Sequence, residues 1–423
     1  MSRRKRRQSS HELIGAVDVG ASKAVCLIAR LVEAADGAPA PEIIGVGLQG
    51  MRAGERAAGR LAAAETALRG ALAAAERMAG ERLRAAVAAA PGRRLSCRRI
   101  GVDLDIEGGR VTREDMRDCL AEGAKAAAAE GARAIHALPA RYSVDGEDAG
   151  PDPSGVAGAV LTTEVVGVGA REPDLVNLEA LLGRCGLETE GFVAAPYAAA
   201  EAVLTDDEKD LGVILIDIGA GATDYAVFER GALVDCGGIA LGGGHITRDI
   251  AQIFGAPLRE AERMKTLYGS ALAGVGDEHR LIDFPQIGEE GVKLRVARAE
   301  LTAVIQPRLE EIFELALARL PAAIRAGRGP RRAALTGGGA LLVGARETAE
   351  RVLGLRTRLG RPFALDGAPE AATGPQFSVC AGAIRLAARK GAGLDDLAGD
   401  GQFETVGAGG LFGGVADWLR RNF

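Results

Sequence analysis

The chain has 423 residues, 48% hydrophobic but only 4% aromatic, so it is long enough for several domains and must build its core from Ala, Val, Leu and Ile. A net charge of −5, from 52 basic and 57 acidic residues, excludes a global field that would draw it onto nucleic acid. Its six cysteines are scattered without CxxC spacing or a histidine cluster, which excludes a zinc site and a disulfide framework and points to a reducing cytoplasm.

The chain opens on a basic tail, Arg3-Arg4-Lys5-Arg6-Arg7, without the apolar core or cleavage site of a secretory signal. Residues 13–32 predict a strand, a tight turn at Gly20 and a second strand. A helix is expected at 61–78. Residues 98–168 carry their own strand, a helix opened by the capping box Thr112-Arg113-Glu114-Asp115, and more strand, which reads as an inserted subdomain. Helices at 173–185 and 196–204 follow.

The opening pattern then returns at 212–233, with Val213-Ile214-Leu215-Ile216-Asp217 as a buried strand, a Gly turn, and Tyr225-Ala226-Val227-Phe228 coming back. Asp18 and Asp217 end the two first strands 199 residues apart, so the chain reads as two related lobes. Further helices are predicted at 248–254, 301–320, 341–352 and 379–389, giving an α/β architecture with mixed sheets. No run of eighteen apolar residues occurs. The segment GAGLDDLAGDGQFETVGAGG near the C-terminus lacks periodicity and reads as a linker.

Asp18-Val19-Gly20-Ala21-Ser22-Lys23 sets a carboxylate at a strand end and then small residues, so that backbone N–H groups, a hydroxyl and an ammonium can approach an anion. Asp217-Ile218-Gly219-Ala220-Gly221-Ala222-Thr223-Asp224 does the same from the other lobe. Two such loops facing each other would pinch a polyphosphate, with Asp18 and Asp217 holding Mg²⁺ through water. One such turn alone reads first as a β-hairpin with an exposed Asp. Two in register with a third cluster, Ala334-Leu335-Thr336-Gly337-Gly338-Gly339-Ala340, read as a nucleotide site, the third turn suiting a flat adenine ring.

The order of these parts resembles the actin-like ATPase superfamily, whose phosphate-1, phosphate-2 and adenosine motifs correspond to 18–23, 216–224 and 335–340. Other stretches are similar to its bacterial cell-division family, FtsA: LPARYSVDG (138–146), GRCGLETEGFVAAPYAAAEAVL (183–204), GGGHITRDIAQIFG (242–255), AERMKTLYGSAL (261–272), AVIQPRLEEIFEL (303–315) and WLRRNF (418–423). The resemblance implies an actin-like two-lobed α/β fold of duplicated ribonuclease-H-like sheets. By it, subdomain 1A takes 12–85, 169–207 and 366–390, an inserted 1C takes 86–168, 2A takes 208–241 and 307–365, and 2B takes 242–306. A linker (391–408) and a membrane-targeting amphipathic helix (409–423) close the chain, after a disordered tail at 1–11.

The same resemblance implies ATP and Mg²⁺ as ligands. Asp18, Gly20, Ala21, Ser22 and Lys23 would meet phosphate and metal-bound water, and Asp217, Gly219, Ala220, Gly221 and Thr223 the γ-phosphate side. Gly337, Gly338 and Gly339 would line the adenosine, Gly242 and Gly243 belong to the same nucleotide set, and Glu262 and Lys265 would reach ribose and base. The last two read equally as an exposed i, i+3 helical pair. The implied partners are the FtsZ C-terminal tail on 2B, further copies in an actin-like polymer, later divisome proteins through 1C, and lipids of the cytoplasmic membrane at the division septum, with no nucleic acid. Arg298 and Arg308 are candidate FtsZ contacts or ordinary solvated helix residues. A PilM-like pilus adaptor and a metabolic kinase use the same fold; LPARYSVDG and the WLRRNF terminus favour the division protein.

Two departures stand out. The segment Leu48-Gln49-Gly50-Met51-Arg52-Ala53-Gly54 lacks the Asp usual in the family. Ala195 precedes Pro196 where chaperone relatives carry Glu and actin Gln, side chains that orient the attacking water, so general-base help worth roughly 10²–10⁴-fold should be missing and turnover slow. At the C-terminus, Leu411, Phe412, Val415, Trp418, Leu419 and Phe423 share one helical arc, with Arg420 and Arg421 opposite. That pattern suits the membrane interface, where each Arg adds about 1 kcal/mol on an anionic leaflet; docking on protein is the alternative.

Overall fold

The computed structural model describes residues 13–33, 39–51, 57–127, 131–288 and 291–391. The basic tail, the linker beyond Gly391 and the terminal amphipathic segment lie outside the described residues.

In chain order, β1 (Leu13–Val19), β2 (Lys23–Glu33) and β3 (Pro39–Gly50) precede α1 (Ala57–Ala79) and β4 (Ala85–Ala90). A separate run supplies β5 (Leu95–Asp105), α2 (Arg113–Ala127), β6 (Ala132–Val144), β7 (Glu147–Asp148) and β8 (Val160–Arg171). The chain returns through α3 (Glu172–Arg184), β9 (Glu188–Ala194), α4 (Ala195–Val203) and α5 (Asp206–Leu211). The second half begins with β10 (Val213–Ile218), β11 (Thr223–Glu229), β12 (Ala232–Ile239), α6 (Gly243–Phe254) and α7 (Leu258–Tyr268). It continues through β13 (Leu281–Pro285), β14 (Lys293–Ala297), α8 (Arg298–Arg319) and α9 (Ala322–Arg325). Last come β15 (Arg332–Thr336), α10 (Ala345–Leu353), β16 (Arg356–Leu359) and α11 (Ser378–Gly391).

Two five-stranded sheets share one design, β3-β2-β1-β4-β9 and β12-β11-β10-β15-β16. Each is an antiparallel three-stranded meander extended by two parallel strands. The sequence repeat is therefore a structural duplication. Central strands such as β10 are buried almost throughout, which is why they read as unbroken apolar runs rather than alternating ones. Helices close in tightly because the contact residues are small. At Gly47 in β3 a Cβ would fall 1.8 Å from the Ala71 carbonyl of α1, so strand and helix meet backbone to backbone and little aromatic volume is needed.

The third sheet, β5-β8-β6-β7, carries α2 on one face over Met116, Cys119 and Leu161. The predicted capping box is present: Asp115 N–H donates to Thr112 Oγ1 at 3.2 Å and Thr112 N–H to Asp115 Oδ2 at 2.7 Å. The insertion begins later than the expected residue 86, because β4 is hydrogen-bonded between β1 and β9 in the first sheet. Likewise the expected break between 306 and 307 falls inside α8, which continues through Pro307.

Other expectations shift locally. α6 starts at Gly243 rather than 248, since carbonyls of the preceding turn hold its glycine-rich first residues. The single helix expected at 341–352 is a short 3-10 turn (Gly338–Leu341) and then α10, separated by Gly344 at φ 83°. α5, opened by a Thr205–Glu208 capping box, and the β13–β14 hairpin were not anticipated.

The lobes join through buried charge. Lys209 of α5 donates to Glu201 of α4 at 2.7 Å, and Arg389 of α11 reaches the other oxygen of Glu201 at 3.1 Å. Glu201 and Lys209 are only 6% and 7% exposed. Arg358 makes two 2.5 Å bonds to Glu208 and a third to the Val203 carbonyl. Among the described residues, no helix is long and apolar enough to cross a membrane.

Candidate functional site

The site is built by the same hairpin used twice. In the first lobe Asp18 lies opposite Val25, and Gly20 N–H closes the turn on the Lys23 carbonyl at 2.9 Å. In the second, Asp217 lies opposite Asp224, and Gly219 N–H closes on the Ala222 carbonyl at the same 2.9 Å. The turns meet across the cleft: a Cβ at Gly221 would fall 2.6 Å from the Ala21 Cβ, so position 221 admits no side chain. β3 reaches the first turn as well, Met51 N–H donating to the Ser22 carbonyl at 2.7 Å.

β15 brings in the third segment. Running parallel to β10, it sets Thr336 beside Asp217 and then turns at Gly337, φ 82°. A Cβ there would be strained and would stand 2.1 Å from Asp217 Oδ1, so Gly337 is required twice over. Gly338 follows, with Lys23 Nζ 4.0 Å from its Cβ position. Beneath this turn Thr336 and Ser378, both buried, share a 2.6 Å hydroxyl contact that anchors the start of α11. Asp18, Lys23, Asp217 and the Gly337–Gly338 turn are thus brought together.

Asp224 completes the cluster, and sequence reasoning gave it no role. Its Oδ2 accepts from Gly92 N–H at 2.9 Å, a bond that crosses to the loop after β4, and the Arg93 backbone N–H faces the same buried carboxylate. A signal was available. In a hairpin closed as this one is, Asp217 and Asp224 are directly opposed, and like charges so placed repel unless a proton or cation is shared. Burial, and then Asp224 and Asp18, push Asp217 up to about 7; burial likewise raises Asp224 to about 7. Asp18 is raised by burial against the pull of Lys23, and Lys23 is lowered by burial against the pull of Asp18 and Asp217. Asp18 and Asp217 thus share one ammonium, Lys23, in a half-buried cleft, while Asp224 beside them has Arg93 as its nearby cation.

The remaining predicted residues are brought close but are differently engaged. Thr223 is 1% exposed and its hydroxyl donates to the Leu241 carbonyl at 2.9 Å, which turns it from the cleft; it secures the hairpin instead of meeting phosphate. Gly242 N–H donates to His245 Nδ1, Gly243 N–H to the Gly219 carbonyl and Gly244 N–H to the Ala220 carbonyl, so the start of α6 buttresses the second turn and offers no free donor. Lys265 spends its three donors on the Gly243 carbonyl (2.9 Å), Thr247 Oγ1 (2.8 Å) and Glu262 Oε2 (2.7 Å). Only Glu262, about half exposed, retains a free side. Gly339 packs on Ile218.

The two candidate partner-binding arginines are likewise engaged within the chain. Arg298 donates to Asp277 Oδ1 at 2.9 Å and to the Tyr268 carbonyl at 3.0 Å. Arg308 forms a two-pronged pair with Asp249, at 2.5 and 3.1 Å, and also bonds Glu311. Neither is the solvated side chain that an acidic tail would need. Ala195 stands where α4 begins, and the Ala194 N–H there donates to buried His136 of β6 at 3.0 Å.

The family profile described as Cell division protein FtsA matches residues 214–382, and that of the SHS2 domain inserted in FTSA matches 92–168. Cell division protein FtsA of Rhizobium meliloti (strain 1021) is 35% identical over 424 residues, covering 97% of this chain and 95% of the relative. Among solved structures, the PilM-PilN type IV pilus biogenesis complex superposes with TM-score 0.61 at 19% identity, over 89% of this chain and 98% of the other. MreB 5 of Spiroplasma citri bound to AMPPNP gives 0.51 at 14% identity, over 91% and 98%. These structural likenesses carry the actin-like fold, and the full-length relative carries the lineage: the chain belongs to the FtsA family of bacterial cell division proteins.

Proposed function

We propose that this chain is an ATP-binding, membrane-tethering protein of the division septum, which polymerises and holds FtsZ filaments at the inner face of the cytoplasmic membrane. The observation that carries the nucleotide part is the meeting of the two hairpin turns, with Asp18 and Asp217 beside Lys23 and Asp224 opposite Asp217. Hard carboxylate oxygens suit Mg²⁺. Asp18 and Asp217, which end the two facing strands and act on the one Lys23 ammonium, are the carboxylates that metal-bound water would meet. Bound Mg²⁺ would neutralise phosphate charge; the chain's own part is to orient the phosphates with the turns at Gly20 and Gly219 and to supply the Lys23 ammonium. The MreB 5 structure that shares this fold was solved with AMPPNP, which supports a nucleotide in the corresponding cleft.

With a methyl group at Ala195, no side chain there activates water, so nucleotide acts as a conformational ligand favouring closed lobes by its differential affinity for them. The family supports the division role, the FtsZ tail as partner, and recruitment of later divisome proteins through the inserted sheet. The arc through Leu411, Val415, Trp418 and Phe423 supports peripheral anchoring, and polymer avidity would compensate for one weak helix. Cosedimentation with anionic liposomes and an FtsZ tail peptide tests the reading. The parent should carry the peptide to the membrane and Trp418→Glu should not; a variant that binds vesicles as well as the parent would remove the helix as anchor.

A further inference from the structure

Among the described residues β5 is an edge strand, packed near its N-terminal end on β12 but with one side of its ladder paired to no other strand. It pairs only with β8, on one side, over all eleven of its residues and without a bulge. Proteins normally blunt such an edge with proline, a short strand, a bulge or a covering loop, because its free N–H and C=O groups will pair with any extended chain. The strand Leu95–Asp105 has no proline and no lysine, and from Arg99 onward its residues alternate between exposed and half-buried. Gly101, at the centre of this stretch, is exposed, with nothing within 4 Å of its Cβ position.

Of the four charges along this edge, two stand at equal distances from Gly101. Arg98 and Arg99 precede Gly101; Asp103 and Asp105 follow it. If a second β5 is laid antiparallel with Gly101 opposite Gly101, Arg99 of each copy falls opposite Asp103 of the other, and Ile100 opposite Val102. The ladder is then self-complementary, which is the requirement of a two-fold interface. Arg98 and Asp105 fall opposite Leu104 and Cys97, so the match rests on the two Arg99–Asp103 pairs and the two Ile100–Val102 contacts at the centre of the strand.

From this edge we infer that β5 is a homotypic docking strand: two copies of this chain join antiparallel along it, about a two-fold axis at Gly101, fusing their inserted sheets into one. The contact adds a sideways link between copies and goes beyond the proposed nucleotide and membrane functions, which do not require it. Arg99 already holds Glu164 of β8 at 3.0 Å and acts on Asp235 of β12, and Asp103 accepts from Thr162 Oγ1 of β8 at 2.7 Å; both are exposed, and a second copy would share their charge with these partners.

The test uses the full-length protein. In the inferred pairing the two Gly101 Cα atoms stand about 4.5–5.5 Å apart, within the range of about 4.4–6.8 Å that a disulfide spans. Gly101→Cys should therefore give a covalent dimer under a mild thiol oxidant, above the background from the six native cysteines of the parent. Arg99→Asp and Asp103→Arg should each weaken self-association in sedimentation by about tenfold, since each sets two like-charge pairs face to face. The double swap R99D/D103R should restore it. Asp103→Arg leaves the Arg99–Glu164 pair intact, so this arm decides even if Arg99→Asp perturbs folding. No symmetric crosslink, or a double swap as weak as the single variants, would overturn the inference and assign the edge to a different extended partner.

Discussion

Asp224→Asn should stabilise the ligand-free protein at alkaline pH, an unusual outcome for removing a buried charge. In the folded state burial holds Asp224 up to about 7, whereas an unfolded Asp titrates near about 3.9. The folded state thus binds the proton more tightly, so stability is full below pH 4 and is lost as pH rises toward 7 and beyond. A gap of about three pH units corresponds to about 4 kcal/mol. Solvent at the cleft, and sharing of the effect with Asp217, reduce this to about 1–2 kcal/mol. Asparagine cannot ionise, and its carbonyl can still accept from Gly92 N–H. For a chain of 423 residues the gain is a rise of about 1–2 °C in melting midpoint at pH 8, shrinking to nothing near pH 4. Thermal unfolding across that range, without nucleotide or divalent cation, measures it. A variant that melts below the parent at pH 8, or by the same margin at every pH, would refute the idea that opposed carboxylates strain this cleft.

Two further outcomes follow from particular side chains. Lys209→Met should destabilise the protein by about 2–4 kcal/mol, because Glu201 is left buried with only Arg389, while the pair Glu201→Leu with Lys209→Met should recover most of that loss; urea unfolding of the single and double variants checks both. Phosphate release at saturating MgATP should be far slower than the common enzymatic value of about 10 per second, and a rate near that value would show that a group other than residue 195 activates water.

The repeat was legible because burial leaves a plain trace: β1 and β10 are apolar runs ending in Asp and Gly, and the turns after them can be read from their glycines. What sequence could not give was the spending of hydrogen bonds. Lys265, Thr223 and the glycines that open α6 lie beside the second turn, but their donors are taken by neighbouring protein groups that only the fold brings close. Arg298 and Arg308 were read as helix residues facing outward; their acceptors, Asp277 and Asp249, lie 21 and 59 residues away, beyond any local pattern. Asp224 is the opposite case, a residue whose importance was written in the hairpin register but is seen only when Asp217 is counted across to its partner. α5 escaped notice for its brevity, six residues whose stability rests on a capping box and on the Glu208–Arg358 pair.

The most direct test of the nucleotide cleft is calorimetric titration of MgATP into the parent and into Asp217→Ala. Asp217 lies at the meeting of β10, β11 and the Gly337 turn, so its loss removes the carboxylate proposed to face the metal and leaves the C-terminal sequence unchanged. The parent should bind MgATP saturably, more weakly when Mg²⁺ is withheld, and more weakly again as pH falls below about 7, where Asp217 and Asp224 take up protons. Asp217→Ala should bind at least about tenfold more weakly. Equal affinity in the two proteins, with no dependence on Mg²⁺, would contradict the assignment of this cleft.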